Sequence, residues 1–193
     1  MRTIGYVLVM VSALCACGSD SSPASLAGTI HGMSFAMHDS ASGERVVTTG
    51  GGTLHAASVF LTSTSGTCAD IEANQFHQNE KGVLITLWDV VGTTTNAPTA
   101  PGMYSIYQGS GTSPAKAALF NAQVNDATCN EIPADSAKGA TGSVNLTLVS
   151  GMKYSGTFDV SLDSGDHVTG SFDPVECPQL DAYFSATNNV ACI

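Results

Sequence analysis

Two segments near the C-terminal end alternate strictly between apolar and polar residues and are joined by a tight-turn sequence. Residues 156–162 and 166–172 flank Asp163-Ser164-Gly165. A three-residue loop that ends in glycine is typical of a type I turn followed by a G1 bulge, in which the glycine takes the left-handed conformation. The pattern predicts an antiparallel hairpin with one apolar face, since a slip of one residue would turn that face to water. The register places opposite one another Val160 and Val168, Phe158 and Gly170, and Gly156 and Phe172.

Strand-like segments recur along the rest of the chain, separated by glycine, proline and polar residues. Residues 83–88 are apolar on both alternating faces, which is typical of a central strand covered on both sides. His31-Gly32 is expected at the positive-φ positions of a hairpin turn within residues 29–35. The other predicted strands are residues 54–61, 104–107, 118–124 and 143–148, the last with Val144, Leu146 and Leu148 on one face, and residues 126–142 are expected to form a polar loop.

Helix signals are confined to one place. Thr67 offers a cap and Asp70 an acidic residue in the first turn, which predicts at most one short helix near residues 69–77. Many short strands with frequent turn signals and no internal repeat indicate an all-β fold. We therefore expect a single antiparallel β-barrel or β-sandwich, two architectures that the sequence does not separate.

The N-terminal residues resemble the signal segment of a bacterial lipoprotein. Arg2 precedes an apolar run over residues 4–14, which is too short to span a bilayer. Leu14-Cys15-Ala16-Cys17 resembles a lipobox, which implies that Cys17 becomes the lipidated first residue of the mature chain. Cys15 fits less well because bulky Leu14 would precede it, and ordinary signal cleavage nearby is the alternative. The expected organisation is a signal over residues 1–16, a flexible tether over 17–26 and a β-rich domain over 27–193.

The charge composition limits the classes of partner that such a domain is expected to bind. The chain has 6 basic and 16 acidic residues, and removal of residues 1–16 would take Arg2 with it. No cluster of Lys and Arg occurs in the sequence, which argues against nucleic acid as a partner. The expected partner is the lipid bilayer, through acylated Cys17. Because Gly18 and not an aspartate follows Cys17, the segment resembles lipoproteins delivered to the outer membrane of a Gram-negative cell.

Four cysteines would remain in the mature domain. An even number in an exported protein indicates two disulfides, with three possible connectivities. No pair has Cys-x-x-Cys spacing, so neither a zinc site nor a redox motif is expected. We predict Cys68–Cys129 and Cys177–Cys192, the second closing a loop of about fifteen residues that would fasten the C-terminal tail.

Residues 142–147, 156–160 and 165–172, together with Cys177, resemble the C-terminal pattern of lipoproteins of unknown function from soil and predatory Gram-negative bacteria. The Cys68-Ala69-Asp70-Ile71 segment before an apolar strand is similar to the same group. The resemblance extends over the mature chain, but its motifs are turns and core positions. It implies a location and a β-fold, and it supplies no activity and no catalytic residues.

Motifs that carry chemistry are weak in this sequence. Ser113-Pro114-Ala115-Lys116 fits the Ser-x-x-Lys of penicillin-recognising enzymes, but Ser-Asp-Asn and Lys-Thr-Gly are absent and the serine lies in a loop. Asp163 and Asp166 bracket a turn that could hold calcium, although turn formation already explains them. The histidines have no metal-ligand spacing, and no metal or cofactor is expected; they are His31, His38, His55, His77 and His167.

Sugar binding needs exposed aromatic rings, and the candidates are Trp88, Tyr104 and Tyr107, of which Trp88 is expected in the core. The carboxylates show no spacing typical of a glycosidase pair. The sequence therefore favours a lipid-anchored, non-enzymatic module that binds a partner or plays a structural part, with no catalytic residue assigned. Two alternatives stay open: a hydrolase of extracellular or cell-wall polymers, and a carrier of a small apolar ligand inside a barrel.

Overall fold

The computed structural model describes residues 23–49, 52–185 and 191–193. Strands make up most of this part of the chain, and the predicted signal segment and Cys17 lie outside it. The elements are β1 Ala24–Ile30, β2 Met33–Ser34, β3 Asp39–Thr49, β4 Gly52–Thr62, α1 Thr67–Ala73, β5 Gln75–Phe76, β6 Lys81–Val91, β7 Thr94–Asn96, β8 Gly102–Ile106, β9 Lys116–Val124, β10 Ala137–Ser150, β11 Lys153–Leu162, β12 His167–Phe172, β13 Val175–Glu176, α2 Leu180–Ser185 and β14 Ala191–Cys192.

Twelve strands form one sheet that curls into a half-barrel. Its order is β13-β3-β4-β6-β9-β8-β10-β11-β12-β1-β2, with β7 alongside β6. The main hydrophobic cluster takes side chains from strands as far apart in this order as β4 and β12, so the sheet wraps around it. Three hydrogen bonds link β3 across the opening. Ser42 Oγ donates to the Met152 carbonyl and Ser40 Oγ to the Pro23 carbonyl, both at 2.8 Å, and Ser42 Oγ accepts the Tyr154 N–H at 3.4 Å.

The predicted C-terminal hairpin is confirmed in its register. Val160 pairs with Val168, Phe158 with Gly170 and Gly156 with Phe172. Gly165 has φ 89°, and both phenylalanine side chains are buried. The first hairpin is also confirmed, since His31 and Gly32 both have positive φ and Thr29 pairs with Ser34. Residues 83–88 lie within β6, which β4 and β9 flank.

Several expectations about the elements are wrong. The sheet is mixed, because β8 pairs in parallel with β9 and β13 with β3. A second helix, α2, is present; with 6 residues it is too short to show a periodic pattern. Strand β10 begins at Ala137, inside the expected loop. Strand β1 begins at Ala24, inside the expected tether, because Ala24 pairs with Phe172.

The two-disulfide count is confirmed, but the predicted connectivity is wrong. Cys68 is bonded to Cys177 and Cys129 to Cys192, each with 5.6 Å between Cα atoms. Strand β13 runs beside β3, and the Cys177 N–H donates to the Ser42 carbonyl at 2.7 Å, which brings Cys177 against α1. Strand β14, which contains Cys192, pairs with β5, and β5 is far from Cys177 in the sequence. The disulfide connectivity predicted from sequence spacing is therefore wrong, because long-range strand contacts decide which cysteines meet.

The cap of α1 also differs from expectation. Gly66, not Thr67, is the residue before the first turn, and it makes no side-chain cap. Asp39 of β3 replaces that cap: its Oδ2 accepts the N–H groups of Gly66 at 2.8 Å and Thr67 at 2.9 Å. Neither helix in the described residues has the length and apolarity needed to cross a bilayer.

Candidate functional site

The sheet divides beside β9. In the first half of this strand Ala118 pairs with Ile106 of β8, and three residues later Asn121 pairs with Lys138 of β10. Strand β10 then leaves β9 and continues along β8 and β11. Gly139 lies at the point of departure, where an added Cβ would sit 3.0 to 3.2 Å from Phe120, Ile106 and Val160. The diverging backbones leave a cleft on the outer face of the sheet.

The cleft comprises two adjoining cavities that share Asn121, Lys138 and Asp163 as lining residues. Their volumes are about 490 and 220 Å³. The larger is within the range of roughly 300–1,000 Å³ typical of small-molecule sites. Its remaining lining residues include Leu84, Gln123, Glu131, Pro133 and Ser136, and those of the smaller include Tyr107, Gln108 and Leu119.

Some polar groups of the cleft are already used by the fold. Asp163 Oδ1 accepts the Lys138 N–H and the Asp163 N–H donates to the Lys138 carbonyl, both at 2.8 Å. Gln108 Nε2 donates to the Ala140 carbonyl at 3.1 Å. These bonds tie the turn after β11 and the end of β8 to β10, so they hold the walls of the cleft in place.

Other polar groups of the cleft have no partner within the described residues. The side-chain amides of Asn121 and Gln123, both half-buried, make no hydrogen bond there. The Lys138 ammonium and the Glu131 carboxylate, both exposed, likewise form no ion pair in that part of the chain. Half-buried amides that are not used by the fold can donate to and accept from a ligand.

Tyr107 lines the smaller cavity of the cleft and packs against Trp88. Tyr107 is half-buried, and its hydroxyl donates to the Gly111 carbonyl at 2.8 Å. Its ring meets Trp88 edge to face, with 6.0 Å between centroids. Trp88 is buried, as expected, and its Nε1 donates to Ser113 Oγ at 3.2 Å. Tyr104 is also buried, so Tyr107 is the one of the three candidate sugar platforms that lines this cleft.

The structure separates the two residues of the Ser-x-x-Lys match. Ser113 Oγ donates to the Pro114 carbonyl at 3.2 Å and accepts from Trp88. Lys116 Nζ instead contacts Asp89 Oδ1 at 2.9 Å and the Tyr104 hydroxyl at 3.1 Å. Each group therefore serves the packing around it, and they do not act as a nucleophile and its base.

The aspartates of the C-terminal turn are used as turn residues. Asp166 Oδ2 accepts the His31 N–H and the Ser164 hydroxyl, both at 2.8 Å. These two bonds hold the pKa of Asp166 below its usual value. His167 Nε2 lies 2.8 Å from Asp159 Oδ1 on the exposed face of the hairpin. Among the described residues no group of three or more His, Cys, Asp or Glu side chains could hold a metal ion.

A second, much smaller pocket contains a histidine and two carboxylates. Asp70 Oδ2 lies 3.0 Å from His77 Nε2, and Thr64 Oγ1 donates to Glu80 Oε1 at 2.6 Å. The cavity measures about 10 Å³, room for about one water molecule. Burial raises the pKa of Glu80, while the bond from Thr64 opposes the rise. These groups are bonded to one another and tie α1 to the strand pairs beneath it.

The outer face of β1, β12, β11 and β10 forms a further shallow surface. A cavity of about 520 Å³ lies over it, lined largely by small side chains such as Ser143, Asn145 and Thr157. Ser25 and Ser171 bond to each other there at 2.8 Å. The surface is more open and lacks an aromatic side chain other than the buried Phe158, so the cleft at the sheet division is the stronger candidate.

Comparison with protein-family models, curated proteins and solved structures finds no match to this chain. In the predicted strand over residues 118–124, Asn121 and Gln123 alternate with apolar residues, which indicates the face opposite the core, but no local pattern shows that β10 passes beside them. A pair of amides on the outer face of a strand beside apolar Leu119 was the one local signal. The described residues do not reach Cys17.

Proposed function

We propose that the protein is an exported, lipid-anchored binding module without catalytic activity, and that the cleft at the sheet division is its binding site. The observation that carries this proposal is the pair of half-buried amides, Asn121 and Gln123, in a cavity of about 490 Å³. The polar atoms of both amides are open to water and are not used by the fold. A ligand that enters the cleft can therefore take the place of water on them.

The anchor rests on the sequence around Cys17, and the two disulfides support an oxidising compartment outside the cytoplasm. Acyl chains on Cys17 would hold the domain at a bilayer, and the outer membrane of a Gram-negative cell is the proposed site. Only Arg45, Lys81, Lys116, Lys138 and Lys153 would supply positive charge to the mature chain, which disfavours nucleic acid as a partner.

The filled core argues against the apolar-carrier alternative. The side chains of the main cluster occupy the space that the sheet encloses, and its largest members include Tyr104, Tyr154 and Phe35. The hydrolase alternative keeps one observation in its favour, because Glu131 and Asp163 line the same cavity. Asp163 already accepts a backbone N–H, which favours a structural part for that carboxylate.

Detergent-phase partitioning tests the anchor. The native protein and a Cys15→Ser variant should both enter the detergent phase, whereas Cys17→Ser should stay in the aqueous phase. The two substitutions are matched, since they replace neighbouring cysteines of the same segment. A Cys17→Ser protein that still partitions into detergent would overturn the proposed anchor.

The single tryptophan offers a direct assay of the binding site. Trp88 contacts Tyr107, which lines the cleft, so a bound ligand should change its fluorescence. The probes are free amino acids, short peptides and neutral oligosaccharides, each titrated to millimolar concentration. Binding of one class supports the module, and no response to any class contradicts it. Release of new reducing ends from an oligosaccharide, abolished by Glu131→Gln, would instead establish the hydrolase.

A further inference from the structure

We infer that the ligand of the cleft is a neutral glycan chain, bound through its hydroxyl groups and the C–H face of a sugar ring. This inference rests on the proposed function, because it names the ligand class of the same site. Three independent features of the cleft support it: the pair of amides, the distribution of charge, and the placement of aromatic and apolar side chains.

The amides suit hydroxyl groups. A carboxamide both donates and accepts hydrogen bonds, as a sugar hydroxyl does, so the two can bond in either sense. Asn121 and Gln123 are two residues apart on β9 and face the same side, so their Cα atoms are about 7 Å apart along the strand. That separation lets the amides contact different hydroxyl groups of one extended chain.

The charges of the cleft disfavour an anionic ligand. Lys138 is the cation that lines it, and the carboxylates of Glu131 and Asp163 line the same cavity. An anionic chain would meet two like charges and one opposite charge there, whereas a cationic chain would meet one like charge and two opposite ones, so the neutral assignment rests on the amides and the apolar side chains. The chain as a whole has a net charge of −10, which further disfavours anionic polymers.

The apolar parts of the cleft complete the match. Tyr107 presents an aromatic side chain at one end, and Leu119 and Leu84 contribute to the floor. Sugars have apolar C–H faces that pack on rings and aliphatic groups, while their hydroxyls point to polar neighbours. The apolar groups are divided between the two adjoining cavities, and Asn121 lines both, so a chain that occupies the whole cleft would meet both kinds of group.

The strand pairing disfavours a peptide that binds by strand addition. Such a ligand needs a free strand edge for its backbone hydrogen bonds. Along the cleft β9 pairs with β6 on one side, and with β8 and β10 on the other. A ligand of the cleft must therefore be recognised by side chains, and the amides of Asn121 and Gln123 are placed to do so.

Calorimetric titration with neutral gluco-oligosaccharides, α-linked and β-linked and ranging from disaccharide to hexasaccharide, tests the inference. Affinity should increase with chain length until the cleft is filled and then level off, and the Trp88 fluorescence should change in parallel. Asn121→Ala and Gln123→Ala should each weaken binding about tenfold. Asn145→Ala is the matched control, since Asn145 is an exposed amide of β10 outside the cleft, and it should bind like the native protein.

The outcomes separate this inference from the proposed function. Binding of amino acids or peptides without binding of any oligosaccharide would overturn the glycan assignment and leave the module standing. No ligand of any class would overturn both. If the Asn121→Ala variant and the native protein bound oligosaccharides with equal affinity, the glycan-binding site would lie outside the cleft. If the alanine variants do not fold, amide chemical shifts of the native protein decide: glycan-induced changes should centre on Asn121 and Gln123, and changes centred on Asn145 would refute the site.

Discussion

Gly170 of β12 lies between the backbone of β1 and the aromatic ring of Phe158. An added Cβ would overlap the Ser25 carbonyl oxygen of β1 and the ring of Phe158 on β11. Glycine is needed here because the ring folds across the partner strand, not because of its backbone angles. The phenylalanine and the glycine opposite it therefore act as one packing unit.

Gly170→Val should lower the free energy of unfolding by about 3 kcal/mol, because the new side chain overpacks a closed space. Thr169→Val, on the polar face of the same strand, should change it by less than about 0.5 kcal/mol. Denaturant titration of both variants measures the difference. A neutral Gly170→Val together with a severe Thr169→Val would invert the assignment of faces.

Glu80 should make stability depend on pH. Burial raises the pKa of its carboxyl in the folded protein above the unfolded value. The folded state then binds more protons, so the free energy of unfolding falls as pH rises from the unfolded pKa through the folded one. Glu80→Gln removes this loss, and the variant should gain stability relative to the native protein over that rise. Thermal melts at a series of pH values measure it.

Exposed Glu131→Gln is the control for this experiment, and its stability relative to the native protein should vary little with pH. His77 and Asp70 are charged or ionisable groups that face Glu80, and both are present in all three proteins. A Glu80→Gln difference that stays flat with pH would contradict the raised pKa.

The C-terminal strand depends on its disulfide. Strand β14 has two residues, and three backbone hydrogen bonds, each 2.9 Å long, join it and Ile193 to β5 and its flanks. The Ala191 N–H donates to the Asn74 carbonyl, the Ile193 N–H to the Phe76 carbonyl and the Gln78 N–H to the Ile193 carbonyl. So short a pairing cannot offset the loss of chain freedom by itself. The bond between Cys129 and Cys192 supplies the constraint.

Replacing Cys129 and Cys192 together by serine should therefore abolish hydrogen-exchange protection of the Ala191 and Ile193 amides. Amides of the C-terminal hairpin, such as those of Val160 and Val168, should keep their protection and serve as the internal control. Exchange measured by NMR reports both groups in one sample. Continued protection of Ala191 would mean that the strand pairing alone retains the tail.

Elements formed by local contacts could be predicted from sequence, and elements placed by distant ones could not. The hairpin around Gly165 was correct because its turn and both strands lie within a short segment. Leu148 was expected beside Val144 and Leu146 in the core, yet it is exposed. A bulge between Leu146 and Leu148 reverses the alternation, and no residue there marks it.

The cleft was unpredictable for the same reason. It exists because β10 changes partners after Lys138, and that change depends on where β8 inserts between β9 and β10. The sequence showed Asn121 as an outward residue of a strand but not which strand would pass beside it. Disulfide pairing failed in the same way, since α1 and β13 meet only in the folded sheet.

At the scale of the whole molecule, the two disulfides should supply much of the stability. They join residues separated by 109 and 63 positions, and long loops lose the most freedom on cross-linking. Full reduction should lower the free energy of unfolding by several kcal/mol, about 4 to 5 for each bond in the chain-entropy account. Denaturant unfolding followed by Trp88 fluorescence measures it, with the oxidised protein as reference. An unchanged midpoint would show that the core alone is sufficient.

The early start of β1 would limit how far the domain could lie from a bilayer if the proposed lipid is present on Cys17. The Pro23 carbonyl accepts from Ser40 Oγ and from the Asp173 N–H, both at 2.8 Å. These two bonds fix the point at which the proposed tether joins the domain. Six peptide steps separate Pro23 from Cys17, which is a contour of about 20 Å at most. A lipid on Cys17 would confine the domain to the layer next to the bilayer, where it could meet only those glycans that reach the membrane surface.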